Sequence, residues 1–128
     1  MRAYHNSRDE IYRKPFGAIC IGGTVSVCLD LFEEENAQVK LRVWIDKKGE
    51  SIFQMQEEKI DDYVRHSFNL KCNEACIIWY SFIIEKQDGN KVYYGAKQGR
   101  TGGEGALYSY EPPSFQITVY KERKVPSW

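Results

Sequence analysis

Trp44 sits where a polar side chain is due. It shares one face of an alternating run with Lys40, Arg42 and Asp46, while Val39, Leu41, Val43 and Ile45 take the other face. Trp79 lies on the less apolar face of residues 76–85, and Tyr93 alternates with Lys91, opposite Val92 and Tyr94. If these runs are neighbours in one sheet, their outward faces form an aromatic platform. Such a surface suits a pyranose ring, because the slightly positive sugar C–H bonds meet the negative π face of an aromatic ring. Nearby Asp46, Arg42 and Gln98 supply hydrogen-bonding groups for sugar hydroxyls. Sugar contact is one expectation for these outward rings; cover by a loop or by another domain is the other.

The residues of an enzyme are harder to find. There is no Gly-x-Ser-x-Gly, no phosphate loop and no metal-binding histidine pair. His5 and His66 are far apart in sequence, and His66, in phase with Val64 and Phe68, reads as a satisfied, partly buried histidine rather than a base. A glycosidase needs two carboxylates flanking a sugar. Here the acids cluster at 33–35, 57–58 and 61–62, runs that are usually solvated turns. The glycines at 99, 102, 103 and 105 neither follow a strand nor open a helix, so they make a poor nucleotide loop. Cys72 and Cys76 lack the usual zinc spacing, and Cys20 and Cys28 lie in apolar sequence. The four read as free thiols in a reducing compartment, with a Cys72–Cys76 disulfide or a metal site as the alternatives. No cofactor and no metal are expected.

The elements that must position Trp44 and Trp79 are strands. The chain has 128 residues, 42% of them hydrophobic and 28% charged, as in an ordinary globular domain. A domain of this size buries roughly two-thirds of its unfolded surface, and it is too short for a complete (β/α)8 barrel of about 250 residues. No apolar run is long enough for a membrane span, and the polar start lacks the apolar core of a secretory signal. Eighteen basic and eighteen acidic side chains cancel, which argues against nucleic acid as a partner. Aromatics reach 14%, residues that fit a pleated, half-buried surface.

Alternation marks strands at 24–32, 39–46, 63–70, 76–85, 91–95 and 115–120, with a weaker one at 51–55. Residues 76–85 are apolar on both faces and so should be covered on both. Asp88-Gly89 signals a hairpin. Residues 57–62 read as a polar loop, and the stretch from Gly99 through Gly105 to Pro112-Pro113 as an irregular, packed or functional loop. The expectation is an all-β, antiparallel, immunoglobulin-like β-sandwich of about seven to eight strands. It divides into an N-terminal arm at 1–18, the sandwich at 19–121 and a linker at 122–128.

These residues also carry a family likeness. Tyr12-Arg13-Lys14-Pro15-Phe16-Gly17-Ala18, followed by Gly23-Thr24-Val25, resembles the opening of an N-terminal domain in the α-amylase family, glycoside hydrolase family 13. Leu41-Arg42-Val43-Trp44-Ile45-Asp46 and Trp79-Tyr80-Ser81-Phe82 resemble two of its strands. Asp88-Gly89, Tyr93-Tyr94-Gly95 and Gly102-Gly103-Glu104-Gly105 resemble a further segment, and residues 113–120 its final strand. Val125-Pro126-Ser127-Trp128 is similar to the lead-in to the catalytic barrel.

The resemblance implies a β-sandwich related to carbohydrate-binding module family 34, as in neopullulanases and maltogenic amylases. It implies a following (β/α)8 catalytic domain that cleaves α-glucans and carries the catalytic acids, none of which is carried over to this chain. It makes Trp44, Trp79 and the Tyr93/Tyr94 pair candidates for carbohydrate binding, with Asp46 beside them. The expected function is a non-catalytic accessory domain that binds α-glucan or maltooligosaccharide, or that positions the barrel. The alternative is a purely structural domain, used for instance at a homodimer interface. An unrelated adhesion module and a self-sufficient enzyme around Glu104 rank below both. A cytoplasmic location is expected from the free thiols.

Overall fold

Residues 2–15, 17–33, 36–45, 48–99 and 103–121 are described by a computed structural model. In chain order they form twelve strands: β1 (Arg2–Tyr4), β2 (Arg13–Lys14), β3 (Ile19–Cys20), β4 (Thr24–Phe32), β5 (Gln38–Ile45), β6 (Gly49–Gln54), β7 (Gln56–Ile60), β8 (Tyr63–Lys71), β9 (Cys76–Glu85), β10 (Lys91–Ala96), β11 (Gly105–Tyr108) and β12 (Phe115–Tyr120). No described residue is helical.

Period-two alternation decides which side chains meet. Val25, Val27, Leu29 and Leu31 of β4 are buried, as are Val39, Leu41 and Val43 of β5. Ile78, Tyr80, Phe82 and Ile84 of β9 join Phe115, Ile117 and Val119 of β12 in the same core cluster. Each large apolar side chain so enclosed contributes about 1.5–3 kcal/mol relative to exposure. One layer of this sandwich is the sheet β1-β4-β8-β7, in which β4 pairs with β8 along its whole length, from Thr24↔Lys71 to Phe32↔Tyr63. The other is built around β9. One edge of β9 takes β5, from Gln38↔Glu85 to Ile45↔Ile78. Its other edge is shared, first by β12 and then by β10. The fold is thus an all-β sandwich, antiparallel throughout except for the short β3–β12 pair.

The sequence left several strands unmarked. Residues 57–62, read as a loop, contain most of β7, which pairs with β8 from Gln56↔Ser67 to Ile60↔Tyr63. β7 is an edge strand whose first four side chains are exposed, so it has no apolar face to betray it. The glycine-rich stretch likewise holds β11, paired with β10 from Tyr93↔Tyr108 to Ala96↔Gly105. The N-terminal residues are not loose over the sandwich: β1 and β2 both pair with the free edge of β4. Residues 122–128, expected to form a linker, lie outside the described residues.

β11 can close on β10 only because residue 105 has no side chain. A Cβ there would come within 2.4 Å of the Gly95 carbonyl oxygen and of the Tyr94 ring, and 2.8 Å from the Phe115 ring. None of these groups can move without disturbing the core. Gly105→Ala is expected to cost about 3 kcal/mol of unfolding free energy, read from the urea midpoint; an unchanged midpoint would contradict this packing.

Candidate functional site

The strand register brings the two tryptophans together. Trp44 on β5 lies directly opposite Trp79 on β9, and both side chains leave the outer face of the β9-centred sheet because their neighbours Val43, Ile78 and Tyr80 point into the core. Trp44 is 48% exposed, and Trp79 is half-buried. Two pairs further along, and so on the same face, Arg42 lies opposite Ser81. The segment before β12 supplies a wall. Gly95 leaves room for Pro112, whose ring would otherwise collide with a side chain at that position, and the Ala96 amide donates to the Pro113 carbonyl at 2.8 Å. The result is a cleft of about 430 Å³ lined by Arg42, Trp44, Trp79, Ser81, Glu111 and Ser114.

Arg42 is the electrostatic centre of this cleft. Its Nη2 donates to Glu50 Oε2 at 3.0 Å, and its Nη1 lies 2.7 Å from Glu111 Oε1. Desolvation works against the charge, but the hydrogen bonds Arg42 donates to Glu50 and Glu111 outweigh it and hold the guanidinium above its usual range. Arg42 therefore ties the wall residue Glu111 to the sheet. The cleft combines two aromatic faces with hydroxyls and a charge-paired fork of N–H donors, which equips it to hold a polyhydroxylated ring. Among the described residues no group of three or more His, Cys, Asp or Glu side chains is arranged to hold a metal ion.

The other sequence candidates are placed differently. Tyr93 shares the outer face, but it sits between Ile83 and Tyr108 and does not line the cleft. Tyr94 is a correction. It is 1% exposed, and alternation turns it inward. Its hydroxyl donates to the His5 carbonyl at 3.0 Å and accepts from the His5 and Gly105 amides at 3.0 and 3.1 Å. Burial pushes its pKa up to about 12. It is a core tyrosine and does not line the cleft. Asp46 lies outside the described residues, and Gln98, though exposed, lies outside the cleft. His66 is buried, and its Nε2 has no hydrogen-bond partner among the described residues, which departs from the satisfied, partly buried histidine expected; the interior lowers its pKa through desolvation. All four cysteines are free thiols.

Glu50, Glu111 and Ser114 were not legible as site residues. Glu50 follows a turn and Glu111 precedes Pro112-Pro113, so each looks like a solvated loop charge until its side chain is seen to meet Arg42. The proline pair is the one usable signal, since it marks a segment that cannot continue a ladder and must lie against something else.

No family model matches the chain. Individual proteins do. The chain is 31% identical to an amylopullulanase of Thermoanaerobacter thermohydrosulfuricus over 97% of its own length, and 28% identical to one of Thermoanaerobacterium saccharolyticum over 91%. The chain is homologous to a segment of amylopullulanases. It spans only 9% of the length of each of these two relatives. The amylopullulanase relationship agrees with the α-amylase-family likeness of residues 12–120 and with a small domain of a larger enzyme.

Proposed function

We propose that this chain is a non-catalytic accessory domain of an α-amylase-family glycoside hydrolase, and that it holds an α-glucan strand across the Trp44–Trp79 cleft. The observation that carries the reading is the direct cross-strand pairing of the two indoles on the outer face, next to a guanidinium anchored by two carboxylates. The amylopullulanase relatives supply the glucan class. Sugar rings pack on the indoles, while Ser81, Ser114 and the remaining Arg42 donors bond hydroxyls. Calorimetric titration with maltoheptaose tests this. Trp44→Ala and Trp79→Ala are each expected to weaken affinity about tenfold, the equivalent of about 1.4 kcal/mol. Unchanged affinity in both variants would overturn the assignment.

One observation favours a second reading. Ile52 and Ile77 are also exposed, 50% and 40% respectively, on the face that carries Trp44. A strip of this kind suits contact with another protein body, either a (β/α)8 catalytic domain or a second copy of the chain. Under that reading the isolated chain binds no maltooligosaccharide, and Ile77→Glu abolishes association instead.

A further inference from the structure

We propose a second contact site for a neutral glucan unit at the edge of the sandwich, in a recess of about 210 Å³ lined by Gln54, Gln56, Ser67, Phe68 and Asn69. It rests on the glucan reading above for its ligand class, but shares no residue with the tryptophan cleft. The recess forms where the chain changes sheets. β6 ends at Gln54 and β7 begins at Gln56. Met55 between them is buried, its amide held by the Val39 carbonyl at 3.1 Å, so the two glutamines flank the crossing. The register sets Gln56 opposite Ser67, and Asn69 is the next residue on the same face of β8.

The chemistry of the lining selects the ligand. Charged residues make up 28% of the chain, yet none of these five side chains is charged. An ionic ligand would find no counter-charge here, and an apolar one would strip three amides of water without replacing their hydrogen bonds. A primary amide presents a donor and an acceptor side by side, which a pair of sugar hydroxyls satisfies. Neither glutamine side chain has a partner among the described residues. The Ser26 hydroxyl donates to Asn69 Oδ1 at 2.7 Å, which leaves the Asn69 amide hydrogens to donate outward. Phe68 stacks on Phe53 with ring centroids 4.8 Å apart and planes at 24°. Alternation turns Phe68 to the opposite face of β8 from Ser67 and Asn69, where it packs against the core, so it lines the recess from the core side.

The test titrates maltotriose into the full 128-residue chain and into Trp44→Ala/Trp79→Ala, following side-chain amide and indole signals by NMR. Saturable shifts of the Gln54, Gln56 and Asn69 amides are expected in both proteins. Gln56→Ala/Asn69→Ala, at exposed positions, is expected to lose most of the remaining Gln54 shift while the indole signals still respond. Indoles that shift beside amides that stay still, or that drift linearly, would overturn the second site and leave the first intact. If neither set responds, the glucan reading fails and takes this proposal with it.

Discussion

Arg65→Leu is expected to destabilise the fold by about 3 kcal/mol, because it strands a buried carboxylate. Asp30 is 1% exposed, and Arg65 meets it as a fork, Nε to Oδ1 at 2.8 Å and Nη2 to Oδ2 at 3.0 Å. The guanidinium also lies 5.7 Å from the ring centroids of both Tyr12 and Tyr63. Burial first, then the Asp30 carboxylate beside it, raises the pKa of the Tyr12 hydroxyl. The cluster thereby fastens residues 4–12 across β4. Arg65 itself is 25% exposed, so water reaching the vacated space keeps the loss at the low end of the range for buried pairs. Removing both charges, as Asp30→Leu with Arg65→Leu, is expected to cost less than Arg65→Leu alone. Urea unfolding of the two variants measures this. A double variant at least as unstable as Arg65→Leu alone would contradict it.

Acid is expected to weaken the fold through His5. This histidine is completely buried. Its Nδ1 lies 2.7 Å from the Cys28 carbonyl and its Nε2 2.9 Å from the Tyr80 hydroxyl, within a cage that includes Phe82 and Phe115. Desolvation lowers its pKa to about 3, against the hydrogen bond to Cys28 and with help from the charge of Arg13. The unfolded chain protonates near the ordinary value of 6.5 and so binds more protons than the native state below that pH. His5 therefore contributes stability that is fully present above about pH 6.5 and is lost as pH falls toward 3, with a slope approaching about 1.4 kcal/mol per pH unit. His5→Gln removes the titration. It should lower stability at pH 7, where it disturbs the cage, yet flatten the decline between pH 6 and pH 4 relative to the native protein. Parallel declines in the two proteins would show that His5 does not titrate this way.

The parts of this fold that could be read in advance are those with a local signature. Val25 to Leu31 and Val39 to Val43 alternate because one face of each strand is buried, and Asp88-Gly89 turns because Gly89 sits at φ 88°. β7 carries no such signature, since an edge strand satisfied by backbone pairing needs no apolar face. Asp30 falls on the polar face of β4 by pattern, yet it is buried between its neighbours Tyr4 and Arg65 on the flanking strands. His5 precedes the first alternating run, and its cage is assembled from β4, β9 and β12. Both facts live in contacts across long stretches of chain. In the site, alternation alone turned Trp44 outward, and it also turns Tyr94 inward, which the motif likeness obscured. What alternation cannot supply is the neighbour: that Trp79 stands opposite Trp44, and that Glu111 returns to Arg42, is a matter of register and of the path through Pro112 and Pro113.

The most direct test of the account is the indole N–H spectrum of the chain during a maltoheptaose titration. The Trp44 and Trp79 signals are expected to shift together along one saturation curve. If both signals stay fixed while the protein remains folded, the cleft is not a glucan site and the proposed function is wrong.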